Sequence, residues 1–133
     1  MKALSLLQPW ASLVATGAKR IETRSWSTKY RGPLAIHASR SNKNKLLRFM
    51  EPFLKALRGI GILPLGAIVA TCDLVDCIKM TPEFIKLIKS PELDFGDYAV
   101  GRCAWILENI KPLEKPIPAS GALSLWEWEA EHA

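Results

Sequence analysis

Histidine and cysteine are scarce in this 133-residue chain, which holds 2 and 3 of them. His37 and His132 stand far apart, and Cys72, Cys77 and Cys103 show no C-x-x-C spacing, so no metal site and no cofactor are expected. Three cysteines cannot all pair within one chain, which fits a reducing cytoplasm. Long apolar runs are missing too. The longest, Ile60 to Cys72, is interrupted by Gly61, Pro64 and Gly66 and falls short of the roughly 20 residues a membrane span needs. No membrane partner is expected. The apolar start, Met1 to Gly17, is split by Gln8-Pro9 and followed by no A-x-A site, so it does not read as a signal peptide. Acidic residues are rare in the first half: residues 1–60 carry 12 Lys and Arg against 2 Asp and Glu, whereas residues 61–133 carry 6 against 11. The net charge of +5 therefore comes entirely from the N-terminal half, which favours a basic face.

At 49 % hydrophobic and 23 % charged the chain can bury a core, which excludes a disordered or collagen-like polymer, and its length suits one domain over residues 1–133. Ala3 to Leu7 is a short apolar run. Pro9 opens a short helix with Trp10, Leu13 and Val14 on one face, ended by Gly17 as a left-handed cap. Arg20 to Arg24 alternates, pointing Ile21 and Thr23 one way and Arg20, Glu22 and Arg24 the other. After a turn at Tyr30-Arg31-Gly32-Pro33, Leu34 to Ala38 reads as a strand with Leu34, Ile36 and Ala38 inward and His37 opposite.

The apolar residues of Asn42 to Arg58 recur at helical spacing among Lys43, Lys45, Arg48, Lys55 and Arg58, predicting a basic amphipathic helix kinked or broken near Pro52. Leu65 to Cys72 is a buried strand running on to Asp76, and Thr81-Pro82 starts another short helix. Cys103 to Ile110 and Ala122 to Glu129 read as closing strands around a proline-rich loop with Pro112, Pro116 and Pro118. About five strands with two or three helices predict an α+β, mainly β fold: a partly closed barrel with flanking helices.

Gly17-Ala18-Lys19-Arg20-Ile21-Glu22-Thr23-Arg24 packs four ionisable side chains into six positions, too many to lie wholly in a core. An exposed edge strand with weak ion pairs accounts for the residue types, and so does a ligand site. Lys19 and Arg24 suit phosphate, Glu22 suits a base amino group, and Trp26 and Tyr30 offer stacking surfaces. His37, with Ser39 and Arg40 after it, either completes a polar rim or is a buried histidine bonded to its neighbours.

Gly17, Lys19, Glu22 and Arg24 spell GxKxxExR, which resembles the signature of the ASCH domain family. In order along the chain, Gln8-Pro9-Trp10-Ala11-Ser12, Arg24-Ser25-Trp26, Tyr30-Arg31-Gly32-Pro33-Leu34-Ala35-Ile36-His37-Ala38-Ser39 and Gly66 to Leu74 are also similar to that family, as is Pro116 to Gly121 with Leu125-Trp126. The resemblance covers nearly the whole chain and implies a PUA-like β-barrel with a cleft at the signature. It implies binding of nucleic acid, chiefly RNA, or of a nucleotide. The ligand residues would be Lys19, Glu22, Arg24, Trp26, Tyr30, Arg31, His37, Ser39 and Arg40, with Lys43, Lys45 and Arg48 as peripheral phosphate contacts. The alternative implied is a hydrolase, a ribonuclease or nucleoside amidohydrolase, with Lys19, Glu22 and Asp73 as catalytic groups. Against the amidohydrolase pattern, Glu22 stands where a threonine would be the nucleophile.

Overall fold

The computed structural model describes residues 1–129. A strand, β1 (Lys2–Leu6), leads into helix α1 (Trp10–Thr16) and strands β2 (Ile21–Arg24) and β3 (Gly32–Ala38). A 3-10 turn at Lys45–Phe49 and the one-turn helix α2 (Phe53–Ala56) precede the long strand β4 (Ala67–Lys79). Helix α3 (Pro82–Leu87) and a second 3-10 turn (Glu92–Phe95) come before β5 (Cys103–Pro118) and β6 (Leu125–Glu127). The strands form one mixed sheet in the order β2-β5-β4-β3-β1-β6, parallel at β1–β3 and antiparallel elsewhere.

The sheet curls into a half-barrel, the α+β, mainly β architecture expected from the sequence. Register breaks between β4 and β5 at Ile68/Ala70, Thr71/Asp73 and Leu74/Asp76, and between β3 and β4 at Ile36/His37, supply the curvature, because each extra residue bends its strand and increases the local twist. Asn109, at φ 53°, takes the left-handed conformation at one of these breaks, which asparagine tolerates better than most residues.

Helix α1 ends as the sequence predicts. Gly17 sits at φ 85° and donates its N–H to the Val14 carbonyl, a conformation costly for a residue with a Cβ. The main core lies between α1 and the sheet, where Val14, Leu34, Ile36 and Trp105 are wholly buried. A second core covers the other face with Ala3, Ala35, Ile68 and Trp128. Both faces of β3 are therefore packed. His37 does point away from Leu34, Ile36 and Ala38, but it is 1 % exposed rather than on an open face.

Two expectations need correction. Asn42 to Arg58 does break at Pro52, since proline lacks the N–H and its ring clashes with the carbonyl four residues back, but the pieces on either side are only a 3-10 turn and a single α-turn rather than amphipathic helix. Leu46, Phe49 and Met50 stay well exposed, while Phe53 and Leu57 reach the core. The proline-rich segment is not a loop either, because Pro112, Pro116 and Pro118 all lie in β5. Past Ile106 the outer edge of β5 has no partner strand, so a residue without an N–H forfeits no ladder bond there.

Candidate functional site

Lys19 follows the Gly17 cap, and its N–H donates to the Leu13 carbonyl at 3.0 Å, folding the chain back under the helix end. That turn carries the side chain inside, where Lys19 is 0 % exposed. An isolated buried ammonium costs several kcal/mol; this one is paired. Its Nζ donates to the Ile21 carbonyl and lies 3.3 Å from Glu22 Oε1. Glu22 Oε2 accepts from Arg24 Nε at 2.8 Å, and Arg24 Nη2 donates to the Ser5 carbonyl at 2.9 Å. A polar chain thus runs from the end of α1 through β2 to β1, leaving Arg24 Nη1 without a partner among the described residues.

Arg24 separates two adjoining clefts and lines both, as do Ser5 and Leu7. The first, about 560 Å³, is bounded by Trp10, Glu22, Asp94, Phe95, Asp97 and Arg102. The second, about 490 Å³, is bounded by His37, Ser39, Arg40 and residues 121–124. A larger cavity of about 990 Å³ lies behind α1, rimmed by Ile60, Ile62, Pro64, Leu107 and Pro112 among others, and holds none of the predicted site side chains.

Loops fix the cleft walls. Asp97 N–H donates to Thr23 Oγ1 at 3.0 Å, and Gly96 approaches β2 so closely that a Cβ there would lie 2.9 Å from Thr23 Cγ2. Glu92 Oε1 accepts from the Arg20 N–H at 2.7 Å. Burial raises the Glu92 carboxyl above its ordinary range, opposed by the Arg20 N–H and the Lys19 charge. Burial, with Glu92 and Glu22 nearby, also pushes the Tyr98 phenol upward. Glu92 Oε2 and the Tyr98 hydroxyl are both buried without a hydrogen-bond partner among the described residues.

In the second cleft, His37 Nε2 lies 2.8 Å from the Ala119 carbonyl, which only accepts, so Nε2 carries the proton. Nδ1 then accepts from Ser5 Oγ at 2.9 Å, and Ser5 Oγ accepts from Trp126 Nε1 at 3.1 Å. Both ring nitrogens are occupied within the protein. Gly121 seals this network, since a Cβ there would stand 2.6 Å from both His37 Cε1 and Ser5 Oγ. Arg40 lies over Gly66, whose missing side chain leaves room for the arginine stem.

The structure therefore brings Glu22, Arg24, His37, Ser39 and Arg40 to one divided groove, with Lys19 buried beneath. It does not bring the other predicted residues there. Trp26 packs edge-on against Trp105 at 4.8 Å, and the Tyr30 hydroxyl donates to the Pro33 carbonyl at 2.5 Å. Arg31 faces Asp76 at 3.5 Å, and Asp73 accepts from Asn109 Nδ2 at 3.2 Å on the far stretch of β4. Lys45 is exposed at the start of the 3-10 turn and Lys43 is exposed just before it. Arg48 is tied to the Gly61 and Ile60 carbonyls at 2.5 and 2.6 Å. Sequence reading missed Asp94, Asp97 and Arg102, whose spacing carries no motif, and gave residues 121–124 no site role although Gly121 ends a family-like segment.

Residues 4–117 match the ASCH domain family. The chain belongs to that family. Members share a PUA-like fold and are proposed to bind RNA. This ASCH domain is 28 % identical over 134 residues to activating signal cointegrator 1 of Homo sapiens, covering 96 % of the chain. The Mus musculus protein of the same name is also 28 % identical, over 135 residues. The chain spans 22 % of the length of these relatives. Among solved structures, ASCH from Zymomonas mobilis superposes with a TM-score of 0.62 at 14 % identity, covering 98 % of this chain and 88 % of that one. A point mutant of the Zymomonas protein gives 0.55 at 14 %, covering 88 % and 74 %. At that identity the likeness concerns the fold. Among the described residues no helix is long and apolar enough to cross a membrane, and no three His, Cys, Asp or Glu side chains are grouped to hold a metal.

Proposed function

We propose that this ASCH domain binds nucleic acid, chiefly single-stranded RNA, through the groove divided by Arg24. The observation that supports it is the placement of Arg24. Two of its donors are tied to Glu22 and Ser5, which holds the guanidinium plane, its Nη1 has no partner among the described residues, and the residue lines both clefts. A held guanidinium offers a phosphate a bidentate contact with little ordering cost. Arg40 lies within reach of the same cleft as a second cation, and Lys43 and Lys45 follow it in sequence.

The hydrolytic alternative gains no support from the geometry. Lys19 is spent on Glu22 and Ile21 O, both His37 nitrogens are occupied, and Asp73 lies outside the groove.

Fluorescence anisotropy with a labelled single-stranded RNA tests the binding reading. Affinity should fall steeply between about 50 and 200 mM salt, and Arg24→Met should weaken it at every salt concentration. Absent or salt-insensitive binding, or an Arg24→Met variant that binds as well as the parent, overturns the reading.

A further inference from the structure

The two clefts differ in charge although one residue joins them. In the first, Glu22 is held by Lys19 and Arg24, and Asp97 Oδ2 lies 3.4 Å from Arg102 Nε, but Asp94 has no ion-pair or hydrogen-bond partner for its carboxylate among the described residues. Leu6, Leu7, Trp10 and Phe95 add an apolar wall. The second cleft contains Arg24 and Arg40 and no carboxylate.

From this asymmetry, and resting on the nucleotide-binding reading above, we infer that the groove takes a nucleotide in one direction: its phosphate toward Arg40, and a nucleobase carrying an exocyclic amino group toward Asp94. A phosphate in the first cleft would face three carboxylates, two of them already paired and Asp94 unpaired, while the second cleft offers two guanidinium groups and no opposing charge. Electrostatics therefore sets the direction. A cleft of about 560 Å³ is large enough for a base with part of its ribose. Against its apolar wall the ring can lie flat, with Trp10 as the aromatic surface.

The carboxylate of Asp94 then selects among bases. It only accepts hydrogen bonds, so the 4-amino group of cytosine or the 6-amino group of adenine satisfies it, whereas uracil presents a carbonyl oxygen and leaves both groups unpaired. Recognition of an amino group by Asp or Glu is chemically matched, and a site built to pair a donor rejects the analogue that lacks it.

The test is isothermal titration of the full chain with CMP, UMP and cytidine. CMP should bind at least about ten-fold tighter than UMP. Asp94→Asn, which adds a donor at an exposed position, should bring that ratio toward one. Arg40→Ala should remove the advantage of CMP over cytidine and keep the preference for CMP over UMP. If CMP and UMP both bind with equal affinity, the inference fails while nucleotide binding stands. If Arg40→Ala abolishes the base preference and Asp94→Asn the phosphate advantage, the direction is reversed and the inference fails. If no nucleotide and no single-stranded RNA binds, the functional reading itself fails with it.

Discussion

Glu22 and Arg24 leave β2 on the same side and meet at 2.8 Å through Oε2 and Nε, while the other carboxylate oxygen of Glu22 faces Lys19. Two-residue spacing puts the strand pair side by side, and the turn after Gly17 brings Lys19 under them. One carboxylate thus neutralises a buried ammonium and aims a guanidinium into the groove. The signature is a strap that ties the end of α1 to β2 and β1.

Removing the shared acid should cost more than removing the buried base. Glu22→Ala leaves Lys19 uncompensated in a site where it is 0 % exposed, a loss of about 3 kcal/mol or more. Lys19→Met keeps the apolar volume and leaves Glu22 paired with Arg24, so its loss should be smaller. Urea unfolding of both variants checks the order, and equal or inverted losses would show that Glu22 is not the central partner.

Gly121→Ala should disrupt the second cleft and reach the first only through Ser5, which lines both. Its Cβ would stand 2.6 Å from Ser5 Oγ and His37 Cε1, forcing apart the contacts among Trp126, Ser5 and His37. A loss of about 1–3 kcal/mol is expected for such overpacking. The His37 ring signals in an NMR spectrum should shift, while the fluorescence contribution of Trp10 in the first cleft stays constant.

Much of the framework was legible in the sequence because it rests on local rules. Gly17 ended a helix and alternation in Ile21 to Arg24 set the side of each residue. The basic segment was misread since its apolar spacing survived on either side of Pro52 while the backbone did not. Prolines in β5 read as a loop because the sequence does not show which strand edge stays unpaired. Glu22 and Arg24 of the Gly17 to Arg24 segment line the groove, but its other walls come from residues 94–97 and 121–124, remote in sequence and brought together only by the sheet. Trp26 and Tyr30 had the right chemistry for stacking and went to packing instead, the commoner fate of large aromatic side chains.

Glu92 gives the fold a definite pH dependence. Burial raises its carboxyl above the ordinary carboxylate range in the folded chain. A carboxyl whose pKa is raised by folding contributes stability that is fully present below its unfolded pKa and lost as pH rises through its folded pKa. Glu92→Gln removes that loss and retains an acceptor for the Arg20 N–H. Relative to the parent, the variant should gain stability as pH is raised from about 4 toward neutrality. A difference in unfolding free energy that stays flat or narrows with pH over that range contradicts the assignment.

The exposed cations that follow Arg40 in sequence should act on long strands alone. Lys43 and Lys45 are exposed and have no ion-pair partner among the described residues, whereas the Arg48 guanidinium is held by the Ile60 and Gly61 carbonyls and lies 5.7 Å from the Phe49 ring. Two phosphate contacts to a single strand contribute about 1.4 to the slope of log affinity against log salt. Joint replacement of Lys43 and Lys45 by alanine should flatten the slope by that amount for an RNA long enough to reach them, and leave mononucleotide affinity unchanged. Arg48→Ala should instead loosen the loop carrying Ile60 and Gly61, seen as a lower melting temperature, with little change in the slope. If Arg48→Ala flattens the slope as much as the double lysine variant, its guanidinium leaves the carbonyls to meet phosphate and the division between structural and binding cations on this turn is lost.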